Sequence, residues 1–286
     1  MTPRLPIAAI TDEFSPSLAT ALPVMQEIGM QMAELRTIDG VNILDLGDAE
    51  LQRANDLLER FGMRVVSIAS PLLKCVLPDG GELDQRFAHD AFASKHQFAD
   101  QGRLAERAVE VAHFFQARII RVFSYWRTTE PARTWDAVAR ALSDLAALAK
   151  RESLIIGLEN EHACNIATGA EAAQMLQLVP DEPLKLVWDP ANALVAGEVP
   201  FPSGYRLLPA ERIVHVHAKD CRTEGDKPEW GPLGTRHVDW KGQIEALLAD
   251  GYKGAISLET HWAGPNGDKR EASRICGWNL RGFVSG

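Results

Sequence analysis

Eight short runs of β-branched and aliphatic residues lie along this chain at intervals of roughly 35 residues, each ahead of a longer or more irregular stretch. The runs are Ile7–Ile10, Met32–Leu35, Val65–Ala69, Ile119–Phe123, Leu154–Leu158, Leu184–Trp188, Ile213–Val216 and Ala255–Leu258. Apolar residues at helical spacing fill Ser17–Ile28, Ala49–Arg60, Gly102–Phe115, Trp135–Arg151, Gly169–Leu178, Lys241–Ala249 and Arg270–Val284. A strand followed by a helix returns parallel to itself, so repeated βα units predict a parallel sheet with helices outside. Glycines stand where helices should stop, at Ile28-Gly29, Phe61-Gly62 and Asp250-Gly251.

Eight parallel strands suggest an α/β fold of the closed (βα)8 TIM barrel type, because closure leaves no edge strand exposed. An open doubly wound sheet would usually carry G-x-G-x-x-G after its first strand, where this chain has Thr11-Asp12-Glu13-Phe14. No linker rich in Pro, Gly or Ser divides the chain, so residues 1–286 are expected to form a single barrel domain. The irregular stretches Pro71–His96, Pro190–Pro209 and Asp220–Val238 follow the third, sixth and seventh strands, which places them on the rim where barrel enzymes keep their chemistry.

The net charge of −9 counts against a general nucleic-acid binder. Four separated cysteines, Cys75, Cys164, Cys221 and Cys276, suggest reduced thiols rather than a disulfide scaffold. With no apolar segment of membrane-spanning length and only a short apolar run near the start, a cytoplasmic protein with no membrane partner is expected.

The last four strands each end on a side chain that can bind metal: Glu159 in LIIGLEN, Asp189 in LKLVWDP, His217 in RIVHVHAKD and Glu259 in AISLETH. Side chains alternate along a strand, so such residues with the right parity point to the barrel axis at the open rim. Three carboxylates held there repel one another unless a cation joins them. An oxygen-rich set with one imidazole suits Mn²⁺, Mg²⁺ or Co²⁺, with Zn²⁺ as a further option. For any one of these residues a helix cap or an ion pair is the simpler reading, and Asp189-Pro190 could start a helix.

The motifs Gly157-Leu158-Glu159-Asn160-Glu161, Trp188-Asp189-Pro190-Ala191-Asn192, His215-Val216-His217-Ala218-Lys219-Asp220, Val238-Asp239-Trp240 and Ser257-Leu258-Glu259-Thr260-His261 carry a family likeness. Over nearly its whole length the chain resembles the xylose-isomerase-like TIM-barrel superfamily of sugar isomerases and epimerases, which also contains endonuclease-IV-type enzymes. The resemblance implies that Glu159, Asp189, His217 and Glu259 bind one divalent metal. It also implies that Glu159 and Glu259 are the acid/base pair flanking the substrate. Family epimerases place a sugar-contacting His where this chain has Asn192, which can hydrogen-bond a hydroxyl but not relay a proton as His does. Their substrate-binding Arg is displaced here, with Arg222 the nearest candidate, and Lys74 matches a lysine frequent in related sequences. Homo-oligomers are common in the family.

Lys219 shares the parity of His217 and could reach the pocket to hold a substrate oxygen; the competing role is a solvated lysine paired with Asp220. Glu34, Arg36 and Arg121 are expected to ion-pair inside the barrel, and His215 to be a satisfied core histidine. His89 and His96 are expected on the surface. One of Trp126, Trp230 and Trp262 is expected to stack on a sugar ring.

The chemistry expected is metal-dependent isomerisation or epimerisation of a sugar, sugar phosphate or related hydroxycarbonyl compound through a metal-stabilised enediolate. An inosose-type dehydratase or a keto-glycoside lyase would share the first proton abstraction. Endonuclease-IV-like cleavage of abasic DNA requires further histidines at the rim, and the early strand ends near Thr11, Arg36, Ser70 and Ser124 provide none. A non-enzymatic sugar-binding barrel is the remaining alternative.

Overall fold

A computed structural model describes residues 4–93, 95–224 and 227–285. Eight strands form the barrel: β1 (Ile7–Ile10), β2 (Met32–Leu35), β3 (Arg64–Ala69), β4 (Ile119–Val122), β5 (Ile155–Glu159), β6 (Leu184–Trp188), β7 (Ile213–Ala218) and β8 (Ile256–Leu258). Every neighbouring pair is parallel, and β1 closes against β8 with Ile7, Ala8 and Ala9 opposite Ile256, Ser257 and Leu258. The rival open sheet is thereby excluded.

The helices are α1 (Leu18–Ile28), α2 (Asp48–Arg60), α3 (Ala88–Ala93), α4 (Gln101–Phe114), α5 (Trp135–Glu152), α6 (Gly169–Leu178), α7 (Pro190–Val195), α8 (Trp240–Ala249) and α9 (Lys269–Ser285). Helix α5 shows why such segments are helical. Val138, Leu142, Leu145, Ala146 and Ala149 fall on one face, and that face is the buried one. Helix α6 starts in a reciprocal cap, with Thr168 Oγ1 accepting from Glu171 N at 3.1 Å and Glu171 Oε2 accepting from Thr168 N at 3.0 Å. Helix α1 stops at Gly29, whose φ of 90° lets its N–H and that of Met30 turn back to the carbonyls of Gln26 and Met25.

After β6 the outer layer has no full helix, only α7 and short helical turns around Pro200–Leu207. Two small hairpins, Thr37–Ile38 with Val41–Asn42 and Cys221–Arg222 with Glu229–Trp230, are built on βα loops. Both escape sequence periodicity because two-residue strands are too short to alternate.

The main apolar layer lies between strands and helices. Trp188 at the end of β6 is fully buried there and donates its Nε1–H to Gln243 of α8 at 2.9 Å. The barrel interior is more polar, holding Glu34, Ser67, Arg121, His215 and Ser257 without exposure above 5%. Gly157 on β5 leaves room for its neighbours: a Cβ there would sit 2.7 Å from Val187 Cγ2 and 3.2 Å from Ile119 Cγ2. Gly157→Val is expected to destabilise the fold by about 1–3 kcal/mol through overpacking, and a urea midpoint equal to that of the unaltered protein would refute this. Among the described residues, no helix is long and apolar enough to cross a membrane.

Candidate metal centre

The strand ends converge. Glu159 closes β5, Asp189 follows β6, His217 lies near the end of β7 and Glu259 follows β8. One ligand-capable atom from each lies within 4.8 Å of all the others, and all four residues are buried. His217 Nδ1 stands 3.2 Å from Glu159 Oε1 and 3.6 Å from Glu259 Oε2. Asp189 also caps α7, its Oδ1 accepting from Asn192 N at 2.8 Å. The cap and the ion pair with Lys219 thus use different oxygens of one carboxylate.

Cations surround this acidic group. Lys219 Nζ lies 2.8 Å from Asp189 Oδ2 and 2.6 Å from Glu259 Oε2, with its side chain almost fully buried. Arg121 Nη1 reaches Glu159 Oε2 at 3.2 Å, and Arg36 Nη1 donates to Glu259 Oε1 at 3.2 Å. Arg36 also bonds Asp12 and Glu13, so it belongs to the rim rather than to the barrel interior.

These charges decide the titration. Burial works against the Glu159 and Glu259 carboxylates, yet His217 and Arg121 hold the first below its ordinary value and Lys219 holds the second well below. Burial also opposes charge on His217 and Lys219, but the facing carboxylates keep both pKa values well above the usual ones. Asp189 goes the other way. Its burial outweighs Lys219, and Glu259 and Glu159 add repulsion, so its pKa rises.

The residues therefore fit a divalent ion. Glu159 Oε2 and Asp189 Oδ2 are buried and accept no hydrogen bond of regular geometry, although cationic nitrogens lie near them. Hard oxygens that accept no regular hydrogen bond, beside one imidazole nitrogen, form the donor set that such ions take.

Other residues singled out from sequence divide. Asn192 is buried in the cluster, its Nδ2 donating to Glu159 Oε1 at 3.3 Å. Lys74 lies at the rim, its ammonium 4.4 Å from the centre of the Phe123 ring and 3.8 Å from Glu161 Oε2. Trp126 is buried, whereas Trp230 and Trp262 are partly exposed; Trp230 packs edge-on to His261 at 4.5 Å.

Three expectations are corrected, and one of the two roles weighed for Lys219 is not found. Arg222 is exposed and shows no contact with the cluster, because the chain turns away into the hairpin with Glu229–Trp230. Asp220 is not the partner of Lys219. It anchors that turn by accepting the N–H groups of Gly234, Arg236 and Val238 at 2.9–3.0 Å. His96 is buried, 3.4 Å from Asp45 Oδ2, rather than on the surface. Arg36 makes ion pairs as expected, but with Asp12, Glu13 and Glu259 at the rim rather than inside the barrel. His89, by contrast, is exposed as expected.

Sequence reasoning left out three rim residues. Glu161 is buried two residues past Glu159 and His261 follows Glu259 by two, so strand alternation could have found both. The Lys74 and His162 charges outweigh burial and keep the Glu161 carboxyl well below its ordinary value. His162 joins through a loop, with Nδ1 2.8 Å from Asn192 Oδ1 and 3.1 Å from Glu161 Oε1, and strand parity has no hold there.

A cavity of about 640 Å³ opens at the opposite end of the barrel, among the first residues of the strands such as Met32, Ile119, Ile155 and Ala255. It is remote from every residue of the cluster, and in this architecture the chemistry belongs to the other rim.

A closed parallel barrel that gathers buried acids and an imidazole at the carboxyl ends of its strands has the site architecture of a (βα)8 enzyme fold. The chain belongs to the xylose isomerase-like TIM barrel family, which it matches over residues 22–276. It is 28% identical over 138 residues to an inosose dehydratase of Bacillus cereus (strain AH820), a match spanning 48% of this chain and 42% of that protein. The chain thus matches less than half the length of this curated relative. Two solved structures share the fold. The IOLI protein with a bound zinc atom gives a TM-score of 0.73 at 15% identity over 98% of both chains. The 3-keto-D-glucoside 4-epimerase of E. coli gives 0.70 at 16% identity over 98% of this chain and 100% of that one.

Proposed function

We propose that this protein is a divalent-metal-dependent isomerase or epimerase of a sugar or related hydroxycarbonyl compound, working by proton transfer at the carbon beside the carbonyl. The observation that carries this reading is the pair Glu159 and Glu259, buried carboxylates from β5 and β8 that both approach His217 Nδ1.

Glu159, Asp189, His217 and Glu259 would hold the ion, which when bound supplies positive charge against the oxygens that become negative as the carbon is deprotonated. One of the two glutamates takes the proton. That group, now protonated, can return the proton to the neighbouring carbon for isomerisation, while epimerisation needs the other glutamate to have taken a proton from solvent, which it then gives to the opposite face. Lys219 stays an ammonium and offsets part of the carboxylate charge, while Asn192 offers its amide to a substrate hydroxyl. Lys74, Glu161, His162 and Trp126 stand at the mouth where a polyhydroxylated ring would bind.

Dehydration is the second reading, favoured by the likeness to inosose dehydratase. It begins with the same abstraction and ends with loss of hydroxide. Proton NMR in D₂O over a panel of ketoses and ketoinositols separates the two: deuterium at carbon with the oxygens retained is expected. Loss of water would give the second reading, and no exchange with any member of the panel at saturating Mn²⁺ would refute both.

A further inference from the structure

We propose that Glu34 is a positioning residue for the metal centre, holding the His217 imidazole by Nε2 so that Nδ1 is presented to the carboxylate cluster. The inference rests on the reading of His217 as a metal ligand.

Glu34 comes from β2, on the other side of the barrel from the cluster-bearing strands in sequence, and is fully buried. Its Oε2 lies 3.0 Å from His215 Nε2 and 3.1 Å from His217 Nε2, and its Oε1 lies 3.3 Å from His217 Nε2. One carboxylate therefore grips two imidazoles that stack edge-on at 5.5 Å. An ionised carboxylate only accepts hydrogen bonds, so each ring nitrogen facing it must carry hydrogen. His217 Nδ1, 3.2 Å from Glu159 Oε1, faces a carboxylate as well, but Glu34 sets both of its oxygens on Nε2 and so leaves Nδ1 as the nitrogen that gives up its hydrogen when an ion binds.

His215 has a different share in this arrangement. Its Nδ1 is buried without a hydrogen-bond partner, so among the described residues Glu34 alone hydrogen-bonds its ring. It thereby gives the carboxylate a second anchor and stops it from rotating away from His217. A carboxylate behind a ligand histidine orients the ring and raises its basicity, and its loss usually lowers metal affinity about 10–100-fold.

The test compares the full chain with Glu34→Gln and Glu34→Asp by competition between the protein and a chromophoric chelator for Mn²⁺ and Zn²⁺. Long-range ¹H–¹⁵N spectra of the histidine rings of the Zn²⁺-loaded proteins are recorded alongside. Glu34→Gln is expected to weaken metal binding about 10–100-fold and to leave part of the His217 population of the Zn²⁺-loaded protein with hydrogen on Nδ1 rather than Nε2. Glu34→Asp, which keeps the charge but shortens the reach, is expected to fall between the two, and it decides the matter if the Gln variant does not fold. Affinity within twofold of the unaltered protein, with His217 still carrying hydrogen on Nε2, would overturn the proposal. If the unaltered protein binds neither ion, the metal-ligand reading fails instead.

Discussion

Glu259→Gln is expected to lower turnover by about three orders of magnitude with the protein folded and the ion still bound. The amide keeps the shape of the side chain and one oxygen for the ion, and Lys219 retains Asp189 as a partner at 2.8 Å. What disappears, on the proposed reading, is one carboxylate of the acid/base pair. Positioned acid–base groups contribute about 10²–10⁴-fold, so the loss should appear in kcat for the substrate identified by deuterium exchange. The surroundings explain why this carboxylate is suited to the task. Lys219 pulls its pKa well down despite burial, so it is ionised at neutral pH, and Arg36 Nη1 fixes its other oxygen at 3.2 Å. Metal content and kcat are measured together, because full turnover with metal bound would remove Glu259 from the chemistry.

The second large effect is on stability. Lys219→Met should cost about 3–5 kcal/mol in the metal-free protein, because it removes the cation that stands between Asp189 and Glu259 and leaves two buried carboxylates facing each other. Methionine fills most of the same volume, so packing is a minor part of the loss. A divalent ion bound at the proposed site would supply the missing charge, so the deficit should shrink as Mn²⁺ is added, following the linkage between binding and unfolding. Urea midpoints with EDTA and across a Mn²⁺ series provide the check. A variant as stable as the unaltered protein in EDTA would mean that the lysine is not what holds the carboxylates together.

The strands were legible because each is an apolar run of the length a buried parallel strand requires, and the boundaries read from sequence differ from the observed ones by two residues at most. The cluster was legible for a related reason. Each of its members stands at or just past the end of such a run, where closure of the barrel leaves only one place to point. Arg222 shows where that logic stops. It is close to His217 along the chain, but three backbone N–H groups bound to Asp220 set the direction of the turn that carries it away.

The sequence by itself determined the barrel and which four side chains meet at its mouth, since both follow from strand period and strand order. Only the tertiary structure decided what stands around them: Lys219 between two carboxylates, His162 against Asn192, and Glu34 behind two histidines, the nearer 181 residues away along the chain. Strand alternation states the face on which a residue lies. Which charge it meets there depends on contacts between distant strands and loops, and those exist only once the barrel has closed.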